Sequence, residues 1–518
     1  MVTIGAVPVR RGAEAARARS GTAEARRHRA ARGCPGPVLF DVVPNPTNAA
    51  QTPQARHRIE PVAEDLGRLF SAAGHRLALV GGSVRDTLLG RLGHDLDFTT
   101  DARPEQVLAI LRPWADAVWE VGIAFGTVGA RKDTAEGRSF QIEVTTYRSE
   151  VYDRSSRKPE VSYGDTIEED LLRRDFTVNA MAVALPEVEF VDPYHGLDDL
   201  AARTLRTPGT PEASFSDDPL RMMRAARFAA QLDFEVAPEV VAAMTEMADR
   251  ITIVSAERVR DELNKLLLSD HPRKGLRLLV DTGLADRVLP ELPALRLERD
   301  EHFRHKDVYE HTLTVLDQAI ALETEGPDLT LRLAALLHDI GKPKTRRFEP
   351  DGRVSFHHHE MVGAKMAKAR MTQLKYPNEQ IKDVAKLVEL HLRFHGYGSG
   401  EWTDSAVRRY VRDAGPLLER LHKLTRSDCT TRNKRKAAAL WRTYDGLEER
   451  IAALKEQEEL DAIRPDLDGN EIMEILGVPP GPLVGRAYRY LLELRLENGP
   501  MEHDQAVAAL KEWHAAQH

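Results

Sequence analysis

The chain reads Leu79-Val80-Gly81-Gly82-Ser83-Val84-Arg85-Asp86, and His94-Asp95-Leu96-Asp97-Phe98 follows shortly after it. The apolar residues before the glycines predict a strand, the glycines a turn, and the residues after them a helix. Glycine lets a backbone approach a phosphate closely, and a helix N-terminus offers free N–H groups to an anion. We therefore predict a phosphate-binding turn at Gly81 and Gly82, to which Arg85 adds a positive charge; alone, an ordinary structural turn is the alternative.

Two aspartates follow this turn and could bind metal ions beside the phosphate. Asp95 and Asp97 stand at i and i+2 on a predicted strand, so that both carboxylates point to the same side. Two carboxylates repel each other unless a cation lies between them, and oxygen ligands suit Mg²⁺. We predict a catalytic pair that binds two Mg²⁺ ions for transfer of a nucleotidyl group. Glu143, on a predicted strand at 140–146, is either a third carboxylate of this site or a member of a structural salt bridge.

The composition places these motifs in a large globular protein. Of 518 residues, 42% are hydrophobic and 30% charged, which excludes wholesale disorder and leaves room for several domains. No apolar run approaches the roughly 18 residues of a membrane helix, and Cys34 and Cys429 allow one disulfide at most. We expect a cytoplasmic protein without a membrane partner. The net charge of −8 excludes a uniformly basic surface, but residues 408–436 are basic enough to contact phosphates, or to form a solvated helix face.

The order of the patterns predicts an α+β protein. Short strand-like and helix-like runs alternate from about residue 77 to 192, and apolar residues then recur at i, i+3 and i+4 to the C-terminus. In the first region strands are predicted at 77–80, 96–99, 125–130 and 140–146, and helices at 84–90 and 104–113. The fold expected is a mixed α/β head followed by all-α domains. The Arg-rich composition at the start of the chain predicts a disordered extension.

A third stretch completes a recognisable set. It reads Glu169-Asp170-Leu171-Leu172-Arg173-Arg174-Asp175-Phe176-Thr177-Val178-Asn179-Ala180. Two arginines beside an acid can bind a triphosphate or a ribose, although a surface ion pair is the alternative. The three motifs together resemble the head domain of class II CCA-adding tRNA nucleotidyltransferases, which belong to the polymerase-β superfamily. The resemblance implies that Gly82, Arg85 and Arg174 hold the triphosphate, assisted by Arg173.

The resemblance also implies the activity and the order of domains. Members of this family add CCA to the 3′ end of tRNA without a nucleic-acid template, from CTP and ATP, and no obligate protein partner is expected. The domains expected are a disordered extension (1–56), a nucleotidyltransferase head (57–192), a helical neck that recognises the base (193–272), a helical body with a metal site (273–440) and a helical tail that binds tRNA (441–518).

A second group of residues could select the incoming base in place of a nucleic-acid template. In Ser216-Asp217-Asp218-Pro219-Leu220-Arg221-Met222-Met223-Arg224-Ala225-Ala226-Arg227-Phe228, Ser216 or Asp217 is expected to cap a helix. An aspartate beside an arginine offers an acceptor and a donor that suit cytosine and adenine and mismatch uracil and guanine. The resemblance assigns this template to Asp218 and Arg221, and nucleotide contacts to Arg224 and Arg227. An ion-pair ladder is the alternative. The segment 255–267 resembles a later neck helix and is interpreted as scaffold.

The polar segment 147–159 carries no periodicity and predicts a mobile loop. It resembles the flexible loop with which the family switches from C to A addition, here with Asp153, Arg154 and Arg157. Its presence favours full CCA addition over addition of C alone. Addition of A alone and poly(A) synthesis remain alternatives, although the strand typical of bacterial poly(A) polymerases is replaced here by Arg138-Ser139-Phe140-Gln141-Ile142-Glu143-Val144.

A third constellation consists of histidines and aspartates spread over the helical part, in the order His311, His338-Asp339, His359, His391 and Asp428. Their order resembles the HD phosphohydrolase superfamily. The resemblance makes four of them primary ligands of a divalent transition metal and assigns two more to a second metal or to phosphate oxygens. Such mixed N/O ligands suit several transition metals, and a bound metal activates water for phosphoester hydrolysis. A contrasting hypothesis is therefore a phosphodiesterase or phosphatase whose head only binds RNA. The primary ligands expected are His311, His338, Asp339 and Asp428, and the further ones His359 and His391.

Overall fold

The structure is a computed structural model of the chain. It describes residues 61–91, 93–123, 126–151, 160–297, 307–351, 353–394, 402–430, 433–458 and 463–517. The predicted extension (1–56) and the predicted loop residues Asp153, Arg154 and Arg157 lie outside these residues. No helix in the described ranges is both long and apolar enough to cross a membrane. The core of the described part extends from Val62 to Leu454 without interruption.

A seven-stranded mixed sheet forms the centre of the head, in the order β3-β4-β5-β2-β1-β8-β9. β2 and β5 are parallel, whereas the other neighbouring strands are antiparallel. A separate hairpin, β6 and β7, flanks residues 152–159. The strands are β1 (Leu77–Val80), β2 (Asp95–Thr100), β3 (Ala117–Trp119), β4 (Thr127–Asp133), β5 (Ser139–Thr146), β6 (Arg148–Val151), β7 (Glu160–Tyr163), β8 (Ala182–Leu185) and β9 (Glu189–Val191).

Five short helices belong to this first part of the chain: α1 (Pro61–Ala72), α2 (Gly82–Leu88), α3 (Pro104–Leu111), α4 (Ile167–Leu172) and α5 (Gly196–Ala201). The predicted strands and helices are confirmed within a few residues wherever the structure describes them. β1 is strongly buried because its four apolar residues lie between β2 and β8. A buried central strand that ends in a glycine turn fixes where α2 begins, and so where the predicted phosphate site lies.

In the described ranges, the rest of the chain is helical, as expected, apart from two pairs of short strands. Thr204–Leu205 (β10) pairs with Glu235–Val236 (β11), and Arg347–Phe348 (β12) pairs with Val354–Ser355 (β13). The helices are α6 (Pro211–Asp217), α7 (Leu220–Leu232), α8 (Pro238–Glu246), α9 (Ala256–Leu267), α10 (Pro272–Asp281), α11 (Ala285–Val288), α12 (Val308–Ala321), α13 (Leu329–Leu337), α14 (Lys342–Thr345), α15 (His359–Gln373), α16 (Asn378–Leu390), α17 (Asp404–Ala414), α18 (Leu418–Ser427), α19 (Lys434–Gln457), α20 (Gly469–Leu476), α21 (Pro482–Asn498) and α22 (His503–Ala515), and short 3₁₀ helices lie at Thr177–Asn179, Ala248–Ile253, Pro293–Leu295 and Gly415–Leu417.

The last three helices enclose a small core of their own around Leu467, Ile472 and Leu491. The predicted boundary between residues 440 and 441 falls inside α19, whose buried residues join the larger core. The division into five domains stays a prediction.

Arginines of the basic stretch join the two cores. Arg408 donates to the Leu496 carbonyl on α21 at 3.3 Å, and Arg409 lies 2.9 Å from Glu497 on the same helix. These two guanidinium groups therefore contact the helix that carries the smaller core.

Candidate nucleotide cleft and metal centre

The predicted turn has the backbone that its glycines suggest. Gly81 has a φ of 70°, in the left-handed region, and precedes the first residue of α2, Gly82. A Cβ on Gly81 would lie 3.0 Å from the guanidinium of Arg174 and 3.8 Å from Asp97. A side chain at Gly81 would thus strain the backbone and crowd the space between a cation and a carboxylate.

The acidic pair lies at the start of β2, beside β5. Ser83 fixes the strand to the turn, because its Oγ donates to the Asp95 carbonyl at 3.1 Å and accepts from the Asp97 amide at 3.0 Å. Asp97 is in register with Glu143 on the parallel neighbour. Burial, together with the nearby charges of Glu143 and Asp95, raises the pKa of Asp97 above its ordinary value, although Arg174 and Arg85 oppose this. A divalent cation held by these carboxylates would favour the ionised form of Asp97 and so lower its pKa.

Asp170 holds the two arginines of the third motif, and Asp175 holds Arg224 on α7. The fully buried Asp170 accepts from Arg173 at 2.7 Å and from Arg174 at 3.2 Å. Burial opposes ionisation of Asp170, yet the two guanidinium groups outweigh it and lower its pKa. Asp175, also buried, accepts from Arg224 at 2.7 Å, and its pKa is held far below the usual range because Arg224 and a bond from Asn179 overcome the effect of burial.

Arg85 reaches the same place from α2. Its Nη1 donates to the side-chain oxygen of Asn179 at 2.5 Å, and its Nη2 lies 2.8 Å from Asp86. Asn179 belongs to the third motif, so that this contact joins the glycine turn to the segment after Arg174. The turn and the third motif, far apart in sequence, form one wall.

The template residues come together without forming the pair that the sequence suggests. Arg221 donates to the Ser214 hydroxyl at 2.9 Å and also to the carbonyl of Arg173. Asp218 accepts from the Leu220 amide at 3.1 Å and from Arg258 on α9 at 2.8 Å. Asp218 and Arg221 line the same cleft, but each has other partners.

Two expectations about this segment are wrong. Ser216 and Asp217 do not cap α7, because both belong to the preceding helix α6, and it is Asp218 whose carboxylate bonds the first amide of α7. The segment 255–267 is more than scaffold, because Arg258 lines the cleft. Sequence reasoning missed Arg258, although Arg258 and Glu262 stand four residues apart on one face of a helix and so signal a charged face.

These groups surround a cleft of about 410 Å³. Arg227, at its edge, is held by Glu262 at 2.6 Å, and Phe228 supplies an aromatic wall. The predicted nucleotide-binding residues and one of the predicted catalytic aspartates thus line one space, although Asp95 lies just outside the lining. The lining residues are Gly81, Gly82, Arg85, Asp97, Arg173, Arg174, Asp175, Asn179, Asp218, Leu220, Arg221, Arg224, Arg227, Phe228 and Arg258.

The predicted metal ligands also converge, in two adjoining groups. One consists of His311, His338 and Asp428, and the other of Asp339, His359 and His391, with the ligand atoms of each group within 4.8 Å of one another. Asp339 lies between them. Its Oδ2 is 3.4 Å from His311 and 3.2 Å from His338, whereas its Oδ1 is 3.3 Å from His359.

The histidine rings are oriented by the bonds that their other nitrogens make. Nδ1 of His338, His359 and His391 lies 2.7–2.8 Å from a backbone carbonyl oxygen three residues earlier, which fixes Nδ1 as the donor. Their Nε2 atoms are buried and form no hydrogen bond with any described residue. Burial lowers the pKa of His391 to about 4, so its ring is neutral at pH 7. Unshared electron pairs that face two carboxylates fit one or two divalent transition metals.

A cation and close helix packing complete this centre. Lys342 lies 2.6 Å from Asp339 and offsets the negative charge of this buried carboxylate. Gly341 allows the approach of α15, because a Cβ there would meet the His359 carbonyl at 2.1 Å. The glycine therefore sets the distance between the helices that carry the ligands.

Comparison with known proteins gives three family matches between residues 77 and 433 and relatives that cover 84% of the chain. Residues 77–206 match the family described as Poly A polymerase head domain, residues 233–295 that described as probable RNA and SrmB-binding site of polymerase A, and residues 308–433 the HD domain. The chain is 35% identical to the A-adding tRNA nucleotidyltransferase of Deinococcus radiodurans over 84% of its own length and 95% of the relative's. It is 31% identical to the CCA-adding enzyme of Streptococcus suis, over 84% and 92%.

A solved structure agrees with these sequence matches. The CCA-adding enzyme of Bacillus stearothermophilus, determined in complex with CTP, superposes with a TM-score of 0.62 and 25% identity over 89% of this chain and 99% of that one. The α+β fold expected from the sequence is confirmed. The nucleotidyltransferase head thus carries the chemistry of its class, which uses divalent metal, and the chain belongs to the family of tRNA nucleotidyltransferases that contains the CCA-adding enzymes.

Proposed function

We propose that this protein adds CCA to the 3′ end of tRNA, with CTP and ATP as substrates and without a nucleic-acid template. The observation that carries the proposal is the single cleft in which Asp97, the glycine turn and Asp218 meet. Acidic residues, a phosphate-binding turn and a base-reading acceptor are the three parts that a template-free nucleotidyltransferase needs. The 3′-hydroxyl of the tRNA attacks the α-phosphate of the nucleotide, and pyrophosphate leaves.

Asp95 and Asp97, with Glu143 beside them, would hold two Mg²⁺ ions at the edge of β2. Burial raises the pKa of Asp97, and the charges of Glu143 and Asp95 add to this, so a bound cation would stabilise its ionised form. When bound, the ions polarise the reacting phosphate and stabilise the charge that develops on the attacking and leaving oxygens. The hydrogen bonds of Ser83 to both ends of the acidic pair keep the carboxylates in place for this.

The triphosphate is held by Gly82, Arg85 and Arg174, with help from Arg173. All three guanidinium groups already bond to a protein oxygen, and each has further N–H donors for a phosphate. Asp170 orients two of them and is buried, so it cannot itself approach the anion. The negative nucleotide therefore enters a wall of oriented donors and loses little free energy in arranging them.

Base selection falls to Asp218 and Arg221, as the sequence resemblance implies. The amino group of cytosine or adenine donates to a carboxylate oxygen of Asp218, whose second oxygen is fixed by the Leu220 amide. Uracil and guanine present a carbonyl at that place, which repels the carboxylate. Because Arg258 bonds Asp218 in the structure, the incoming base replaces or shares that bond.

The proposal is tested by offering tRNA that lacks its CCA end to the purified protein, with CTP, ATP, UTP and GTP given singly and together. Sequencing of the new 3′ ends should show CCA and no incorporation of U or G. A single A added only to tRNA that ends in CC would mean the specificity that the Deinococcus radiodurans relative's name describes, and a long A tract would mean a poly(A) polymerase. Either outcome would replace the proposal.

A second activity is favoured by the histidine–aspartate centre. The three buried, unbonded Nε2 atoms and the central Asp339 are arranged to hold transition metal, and the metal would supply an activated water for hydrolysis of a phosphoester. We propose an accessory phosphohydrolase there, independent of CCA addition. Asp339→Ala should abolish hydrolysis and leave CCA addition intact. Loss of both activities in a folded variant would contradict the separation.

A further inference from the structure

The connection between two groups of metal ligands is a small hairpin with an exposed aromatic ring. β12 and β13 lie between Asp339 and His359, and Phe348 on β12 has 62% of its surface exposed. Arg346 lies over this ring, 4.7 Å from its centre to the guanidinium carbon. An aromatic ring that stays exposed to water contributes little to the stability of the fold. With an arginine on one side, its free side is suited to stacking with a planar, anionic ligand.

The pairing of the hairpin shows which way this ring faces. Phe348 is opposite Val354, and opposite residues of an antiparallel pair point to the same face. Phe356 follows Val354 by two residues, one residue beyond the end of β13. Arg347 is opposite Ser355 and therefore points to the other face.

This face continues to the metal centre through a lysine. The Lys342 ammonium lies 5.8 Å from the centre of the Phe356 ring and 2.6 Å from Asp339. From Phe348 to the level of Phe356 the strand advances by about 7 Å, a distance that a base and its neighbouring phosphate can span. The face thus presents, in order, an aromatic platform, a cation and the ligands of the metals.

We propose that Arg346, Phe348 and Lys342 form a binding face for the unpaired end of an RNA strand, whose base stacks on Phe348 while its phosphoester lies at the metal centre. The inference rests on the proposed phosphohydrolase and names its substrate class. Stacking on an aromatic ring accepts any base, whereas the cations require phosphate, so the ligand is a single strand and not a neutral nucleoside. In the reaction, water adds to phosphorus, the bond from phosphorus to the sugar oxygen breaks, and that oxygen takes up a proton.

Binding is tested with Phe348→Trp in the full-length protein, because a stacked base quenches tryptophan fluorescence. The probe is single-stranded oligoadenylate of six residues, and the signal of the unsubstituted protein is subtracted. We expect saturable quenching by the oligomer, none by an abasic oligomer of equal length, and about tenfold weaker quenching by adenosine monophosphate. Absence of quenching, or equal affinity for the mononucleotide, would overturn the proposal.

The matched pair Arg346→Ala and Arg347→Ala separates the two faces of the hairpin. Made in the Phe348→Trp background, the first should weaken oligoadenylate binding about fivefold, whereas the second should change it less than twofold. Equal effects would overturn the assignment of the face. Because fluorescence reports binding without turnover, quenching in a protein that hydrolyses nothing would reject the phosphohydrolase while keeping the binding face.

Discussion

The nucleotide cleft and the histidine–aspartate centre handle their polar groups in opposite ways. In the cleft, Arg85, Arg174 and Arg224 are each bonded to a protein oxygen. In the metal centre, the Nε2 atoms of His338 and His391 are buried without a hydrogen bond in the described part of the chain. A cleft that binds and releases a nucleotide in every cycle keeps its charges paired between cycles. A centre that keeps a metal ion bound can leave the unshared electron pairs of its histidines facing the ion.

The largest expected effect is at the acidic pair. Asp97→Asn removes a charge from the group that would hold Mg²⁺, and CCA addition should fall by at least about 100-fold, measured as kcat with saturating CTP. The matched control is Asp133→Asn, which removes an exposed carboxylate from β4 in the same sheet. If both variants keep normal activity, the catalytic assignment is wrong.

The metal centre should respond to loss of one buried ligand. Metal that binds only the folded protein at 100 times its Kd stabilises it by about 2.7 kcal/mol. His391→Ala should therefore lower the metal content, measured by mass spectrometry of the dialysed protein, and abolish the drop in Tm that a chelator causes. His357→Ala is the control, because its side chain is 73% exposed and lies outside both ligand groups. Equal metal content in the two variants would contradict the ligand set.

A charge pair within the cleft should show itself in the dependence of stability on pH. The pKa of Asp175 is lower in the folded protein than in the unfolded chain, where it is about 3.9. The ionised carboxylate therefore stabilises the fold above about pH 3.9, and this stabilisation is lost as the pH falls from there towards the folded pKa. Asp175→Asn should cost about 2 kcal/mol of unfolding free energy near pH 7, less than a fully buried pair because Arg224 is partly exposed. Urea titrations at several pH values should show this difference shrinking below about pH 4. A difference independent of pH would refute it.

The fold and much of the site followed from local patterns, because the decisive chemistry lies in short segments. A strand, two glycines and a helix predict the turn at Gly81, and a spacing of two predicts that Asp95 and Asp97 share a side. The register of Asp97 with Glu143 required the parallel pairing of β2 with β5, which no local pattern specifies.

Long-range contacts account for the rest. Arg258 meets Asp218 only because α9 packs against α7, and Arg221 turns to Ser214 because α6 lies beside it. The sequence places donors and acceptors on the correct segments, but partners are chosen by packing. The same holds for the hairpin at Phe348, which is too short to give a strand pattern.

Base selection should change by a smaller factor than catalysis. Asp218→Ala removes the acceptor for the amino group of cytosine and adenine, so discrimination against UTP should weaken about tenfold, measured as the ratio of kcat/KM for CTP and UTP. Glu212→Ala, an exposed acid on the preceding helix, is the control. Unchanged discrimination in a folded Asp218 variant would mean that another group reads the base.

The smallest effect is expected at Arg258. It decides whether Arg258 competes with the base for Asp218 or itself binds the nucleotide. In the structure Arg258 occupies an oxygen of Asp218 that a base needs, yet its side chain is half exposed, so the bond contributes only about 0.5–1 kcal/mol. Arg258→Ala should therefore lower the KM for CTP two- to fourfold, because the base no longer displaces a guanidinium. Arg260→Ala on the same helix, whose guanidinium bonds Asp261 and lies outside the cleft, should leave the KM unchanged. A raised KM would show instead that Arg258 binds the nucleotide. The arginines that are paired with protein oxygens in the cleft would then exchange those partners for the nucleotide when it binds.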